Sequence, residues 1–243
     1  MKTIQEEQNS IVNEFEIFDQ WLDRYEHLIE LSKDLEPLDA KYKTNEYLIT
    51  GCQSRVWLMA EMKDDRVVYR AETDAIITKG IISLLVRVLS GQKPEDIVNA
   101  DLFFIDRIGL RENLSPTRSN GLLAMVKQMK LYALAFQTVQ KKDEQLKTQV
   151  VEALKKIYDP EIPVNIYDLG LIYDIFITKN HSVIVTMTLT APNCPMADYI
   201  LMSVQKKVEA LEGVKSVTIN LVFDPPWSKS LMSDEALLQL GLL

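Results

Sequence analysis

Ile49-Thr50-Gly51-Cys52-Gln53-Ser54-Arg55-Val56-Trp57 sets a glycine and a thiol directly ahead of a β-leaning run, Val56 to Met62. Glycine tolerates backbone shapes that other residues resist, so the stretch predicts a bent loop presenting Cys52 just before a strand. Tyr47 to Ile49 reads as a short strand leading into that loop. Arg55 to Met62 and Arg66 to Glu72 read as a hairpin around Lys63-Asp64-Asp65. Local chemistry leaves Cys52 open between two roles. Gly51 and Ser54 shape its loop, and Arg55 would lower its pKa by folding back over the thiol. A free cysteine is also among the most buried residue types, and could serve packing alone.

Toward the N-terminus, Ile11, Val12, Phe15 and Phe18 recur at helical spacing, and Leu22, Tyr25, Leu28 and Ile29 repeat the pattern. Asp19 is placed to cap the second of these helices, and Pro37 closes the pair. Toward the C-terminus, Ala75 to Leu89 reads as a buried helix and Pro94 opens a short one. Residues 108–113 read as loop. An apolar helix from Leu122 to about Phe136 follows, with Ser115 or Ser119 as its cap. The polar stretch from Gln137 to Gln149 marks a boundary: a first domain over residues 1–138, a linker over 139–147 and a second domain over 148–243.

The second domain opens with a helix through Val150, Leu154 and Ile157. Asp159-Pro160-Glu161-Ile162-Pro163 must be extended, because each proline restricts the residue before it. Leu169 to Thr178 and Val183 to Thr190 form a hairpin, Met196 to Leu211 a helix and Val214 to Phe223 a last strand. Ser233 caps a short closing helix. The expected fold class is α+β, with two domains, each a small, mostly antiparallel sheet packed against helices. The first sheet should be curved, and the second three-stranded with helices on one face.

The 243 residues are 47% hydrophobic and 26% charged, a composition of soluble globular chains. The net charge is −8, both halves are mildly acidic and no block of Lys and Arg occurs, so no footprint for nucleic acid or anionic membrane is present. The most apolar run, Gly80 to Leu89, is broken by Arg87 and too short to span a bilayer. The first residues lack an apolar signal-peptide core, which with only two cysteines predicts a reducing, cytoplasmic setting.

Cys194 is the second candidate centre. Pro195 suits a first helical turn, which would put Cys194 at or near an N-cap, where backbone N–H groups and the helix dipole favour a thiolate. Asp198 opposes this, and a small residue for a tight turn is the competing reading. Asp159, Glu161, Asp168 and Asp224 could bind a metal together with Cys194 as the softer ligand, or could serve as turns and caps. The absence of a CxxC pair excludes a self-contained zinc or four-thiolate cluster site. His27 and His181 have no metal spacing and read as solvated. Gly109 and Gly121 are isolated, so no phosphate loop is present, and no nucleophile elbow occurs.

Residues from about 10 to 136 resemble the SufE family of sulfur-acceptor proteins. The resemblance is carried by Trp21-Leu22-Asp23-Arg24-Tyr25 with Leu28-Ile29-Glu30-Leu31, by Gly51-Cys52-Gln53-Ser54-Arg55-Val56-Trp57, and by Leu114-Ser115-Pro116-Thr117-Arg118-Ser119-Asn120-Gly121-Leu122. It implies that Cys52 accepts sulfane sulfur as a persulfide from a SufS-like cysteine desulfurase, stimulating it, and passes the sulfur to a SufB-type scaffold. Arg118 matches an arginine of the same functional neighbourhood, and Gly51 and Ser54 would support the loop.

Residues from about 146 to 243 resemble the SufT-like and PaaD-like domains of iron–sulfur cluster assembly. Here the carriers are Asp159-Pro160-Glu161-Ile162-Pro163, Asp168-Leu169-Gly170-Leu171-Ile172, Thr188-Leu189-Thr190-Ala191-Pro192-Asn193-Cys194-Pro195 and Asp224-Pro225-Pro226-Trp227. This implies cluster or iron handling through Cys194, with Asp159, Glu161 and Thr190 as further functional positions and iron–sulfur target proteins as partners. No resident cofactor is required, and a transient iron–sulfur cluster at Cys194 is allowed. A homodimer stays open. Two rivals also stand: an adaptor whose thiols are structural, and a thiol redox protein pairing Cys52 with Cys194.

Overall fold

A two-residue turn at Asp64 and Asp65 joins β1 (Val56–Lys63) to β2 (Arg66–Thr73) in the computed structural model, which describes residues 2–160, 162–192 and 194–242. Both turn residues have positive φ, 47° and 60°, as the tight hairpin turn whose twist matches the strands requires. Val56 and Leu58 of β1 and Val67, Tyr69 and Ala71 of β2 form the buried face. The lead-in to Cys52 pairs with β1: Ile49 N–H donates to the Val56 carbonyl at 2.8 Å and Leu58 N–H to that of Tyr47 at 2.9 Å. The thiol loop is therefore closed at both ends by backbone bonds.

The chain forms two units, Met1–Thr138 and Val139–Leu243. In the first, α1 (Ile4–Glu16), α2 (Trp21–Leu31) and α3 (Ile76–Leu89) pack together, with α3 also against β2. The Thr3 hydroxyl and the Glu6 carboxylate cap α1 reciprocally. The Glu14 carboxylate of α1 accepts from the Arg87 guanidinium of α3 at 2.6 Å, and Arg87 Nε donates to Glu7 at 3.2 Å. That bond from Arg87 holds the Glu14 carboxyl below the usual carboxylate range. Gly80 sets the spacing of α2 and α3, since a Cβ there would run into the Leu28 carbonyl.

Several expectations change. The N-cap of α2 is Gln20, without a side-chain cap bond, and not Asp19. Residues 108–113 are not a plain loop. After α4 (Pro94–Asn99) and α5 (Phe104–Arg107), Gly109 turns with φ 76° and starts α6 (Leu110–Asn113). Leu110 packs into the core there, so tertiary burial supports a helix too short to stand on local propensity. His27 is not solvated: Phe15 and Phe18 both bring ring centroids to 5.0 Å from its ring, and its Nε2 is buried with no hydrogen-bond partner among the described residues. His181 is half-buried in the turn after β3, with φ 58°.

Helix α7 runs from Pro116 to Leu154, so Ser119 lies inside it and Pro116 occupies its first position. Residues 139–147 are helical throughout. Leu122, Met125, Met129 and Ala133 are buried in the first core, and Val150 and Leu154 in the second.

The second unit holds a three-stranded sheet in the order β3 (Ile172–Ile177), β4 (Ser182–Met187), β5 (Ser216–Leu221). Val183, Val185 and Met187 form its buried face, and α8 (Ala197–Glu209) contributes Ile200, Val204 and Val208 to the same core. β3 and β4 are antiparallel, whereas β4 and β5 are parallel. The reason is α8, which crosses over and returns the chain to begin β5 at the same end as β4. Ser233 caps the closing helix α9 (Asp234–Gln239) by accepting from Ala236 N–H.

Gly80→Ala should force α2 and α3 apart, at a cost of about 1–3 kcal/mol. Hydrogen exchange of the full chain should show faster exchange in α2 and α3 with β3–β5 unchanged. Wild-type protection in α2 and α3 would refute the close-approach role of Gly80.

Candidate functional site

Gly51 takes φ 92°, a left-handed shape that disfavours side chains, and turns the chain so that Cys52 faces α7. The half-buried Cys52 thiol donates to the Gly121 carbonyl at 3.5 Å. It lines a cavity of about 620 Å³ together with Ser54, Thr78, Arg118, Gly121 and Met125. Ser54 Oγ lies 3.4 Å from Thr78 Oγ1, which ties the loop to the first turn of α3. Arg118 and Gly121 stand three residues apart on α7 and so share one face of it. Arg118 is exposed at the cavity wall and has no ion-pair partner among the described residues.

Arg55 does not fold back over the thiol. Its Nε donates to Asp74 at 3.0 Å, its backbone N–H donates to the same carboxylate at 3.2 Å, and its guanidinium lies 5.5 Å from the Trp57 ring centroid. Burial pushes the Cys52 thiol up, with no opposing cause. At rest the site therefore favours a neutral thiol, and Arg118 stands on the wall of the same cavity.

The second unit brings its candidates together less closely. Cys194 is half-buried against the core. It is not an N-cap: Met196 holds that position, and Cys194 sits in the preceding turn, where its carbonyl accepts from Ala197 N–H at 3.1 Å. The dipole argument for a thiolate there loses its geometry. Asp159 Oδ1 accepts from Ile162 N–H at 3.1 Å, which shapes the Pro-rich loop. Asp168 accepts from Asn165 Nδ2 at 2.6 Å and faces Lys155 Nζ at 4.0 Å. Thr190 is half-buried just after Leu189. Glu161 lies outside the described residues. Among the described residues, no three His, Cys, Asp or Glu side chains are placed to hold a metal ion.

The structure brings Cys52, Ser54 and Arg118, expected from the resemblance, to the wall of one cavity. Gly121 and Thr78 were not marked as site residues. The available signal was Gly121 itself, a glycine inside a helical pattern.

A model of the SufE family, an Fe-S metabolism associated domain, matches residues 9–133, and a model of an iron-sulfur cluster assembly protein family matches residues 147–221. The chain is similar to an Fe-S protein maturation auxiliary factor of Porphyromonas gingivalis, 56% identical over 99 residues, covering 41% of this chain and 94% of that protein. It is also similar to SufE-like protein 1, chloroplastic/mitochondrial, of Arabidopsis thaliana, 44% identical over 112 residues, covering 46% of this chain and 30% of that protein. A solved domain of unknown function from Bacillus anthracis is 35% identical and covers 43% of this chain and 99% of its own, with a TM-score of 0.41. No helix among the described residues is long and apolar enough to cross a membrane.

Because burial disfavours the Cys52 thiolate, its reaction with iodoacetamide should be slow at neutral pH. The rate should rise with pH through a midpoint above the ordinary thiol range. A midpoint at or below that range, read by peptide-resolved alkylation, would overturn the burial argument.

Proposed function

This chain belongs to the SufE family over residues 9–133 and carries an iron–sulfur cluster assembly domain over residues 147–221, and from that premise we propose that Cys52 is a sulfur-carrying thiol. The protein acts in iron–sulfur cluster biogenesis. Its donor is a SufS-like cysteine desulfurase, which it stimulates by clearing the sulfur, and its acceptor is a SufB-type scaffold. The observation that carries this reading is the Cys52 thiol and the unpaired Arg118 on the wall of one cavity.

Transfer is a thiol exchange with no net oxidation. The Cys52 thiolate attacks the outer sulfur of the donor persulfide, as in thiol–disulfide exchange. A new S–S bond forms at Cys52 Sγ as the donor S–S bond breaks. The donor sulfur leaves with the bonding electron pair and takes up the proton that Cys52 gave. Cys52 ends as a persulfide and the donor as a thiol. Since burial favours the protonated thiol at rest, Cys52 gives up that proton as the donor docks. Arg118 then holds the anionic persulfide by a charge-assisted bond.

The second unit handles iron or a cluster as cargo through Cys194 and delivers it to iron–sulfur target proteins, in a cytoplasmic setting. One thiolate cannot hold a cluster, so ligands from a second copy or from outside the chain would complete the set. Asp159, Glu161 and Thr190 would shape the loops around Cys194. The chain itself needs no resident cofactor.

Incubation with a cysteine desulfurase and cysteine should add one sulfur atom, and peptide mapping should place it on Cys52. Cys52→Ser should abolish that mass shift. Arg118→Ala should slow loading about 10- to 100-fold, the value of a charge-assisted hydrogen bond of about 1.5–3 kcal/mol. Sulfur mapped to any other residue would sink the carrier reading.

Anaerobic reconstitution with iron and sulfide should give cluster absorbance that Cys194→Ser removes. Equal spectra for the two proteins would end the proposal for Cys194.

A further inference from the structure

Gly121 sits inside α7 and has no positive φ to require a glycine. A mid-helix glycine is less stable than alanine, so the position needs a reason. Gly80 has one in the Leu28 backbone, which leaves no room for a Cβ. At Gly121 the three nearest atoms to an added Cβ all belong to Cys52: Sγ at 3.5 Å, Cβ at 3.9 Å and Cα at 4.0 Å. These are ordinary van der Waals contacts, so the resting thiol would tolerate alanine.

A loaded thiol would not, if its outer sulfur turned toward α7. The Cβ position at Gly121 is nearly as far from Cys52 Cβ as from Sγ, so it stands to the side of the Cβ–Sγ bond. Divalent sulfur is bent, and a second sulfur bonded to Sγ must leave to the side. That atom lies about 2.05 Å beyond Sγ. In the sector facing α7 it would fall well inside contact with a methyl group at residue 121.

We propose that Gly121 is a positioning residue for sulfur transfer: the side chain it lacks is the space into which the outer sulfur of a loaded Cys52 turns. Its biological sense rests on the carrier reading of Cys52. The open sector borders the cavity shared with Arg118, one helical turn earlier on the same face of α7. Small cargo, one sulfur atom on the thiol, matches this space.

Methyl methanethiosulfonate tests the space without a desulfurase. Cys52 Sγ bonds to the reagent's methylthio sulfur, the reagent's S–S bond breaks, methanesulfinate leaves with the electron pair and the thiol proton passes to buffer. Cys194 in the same chain is the internal reference. The Cys52 to Cys194 rate ratio, read by peptide mass spectrometry, should fall about fivefold or more in Gly121→Ala, the scale of one overpacked contact. Thermal stability should hold or rise, as alanine favours the helix. A smaller fall in the ratio, or a lower thermal midpoint, overturns the role of Gly121. Desulfurase loading of the wild type is run beside it. If Cys52 takes no sulfur but the reagent contrast holds, the carrier reading falls and the spatial role stands. If wild type and Gly121→Ala load alike and the contrast is absent, the spatial role falls and the carrier reading stands.

Discussion

The approach of α7 to the Gly51–Cys52 turn, close enough for the Cys52 thiol to donate to the Gly121 carbonyl at 3.5 Å, is the constraint on which the site depends. It follows from two separate packings. Leu122, Met125 and Met129 bury one stripe of α7 in the first core, which fixes the helix. The bonds between Tyr47–Ile49 and Val56–Leu58 fix both ends of the thiol loop. Between them the thiol is half-buried and lines an open cavity. The residue on α7 facing the thiol is Gly121, and an added Cβ there would lie 3.5 Å from Cys52 Sγ.

The electrostatics follow from that burial. Cys52 is pushed toward its neutral form, and the cation expected beside it, Arg55, is engaged with Asp74 and Trp57 instead. Both members of that ion pair are well exposed, so it contributes little stability. Its effect is to pair Arg55 with Asp74 on the cavity wall and leave Arg118, on the same wall, without an ion-pair partner among the described residues. A resting thiol of this kind resists adventitious oxidation, because the thiolate is the reactive form.

The second unit shows a different balance. Its sheet is mixed because α8 crosses from β4 to β5, and Cys194 lies in the turn that feeds that helix. Gly170 turns with φ 73° where a Cβ would meet the Leu231 backbone, and Trp227 Nε1 donates to the Leu169 carbonyl at 2.8 Å. The loops around the Asp168-Leu169-Gly170 and Asp224-Pro225-Pro226-Trp227 motifs are thus held by one another. Much of what the sequence motifs of this unit specify is loop geometry.

The sequence by itself determined the elements and their chemistry. Periodicity marked α1 and α2, apolar runs marked α3 and the first part of α7, the paired aspartates marked the β1–β2 turn, and Gly51 before Cys52 marked a presented thiol. These are local properties of side-chain spacing and backbone freedom, and they are written in neighbouring residues. Only the tertiary structure decided which residues meet. Gly121 faces Cys52 from 69 positions away, Arg55 turns to Asp74, His27 lies between Phe15 and Phe18, and Met196, two positions after Cys194, holds the N-cap of α8. Each of these contacts depends on how whole elements bury their apolar faces. That burial is a sum over the core, and no short stretch of sequence contains it.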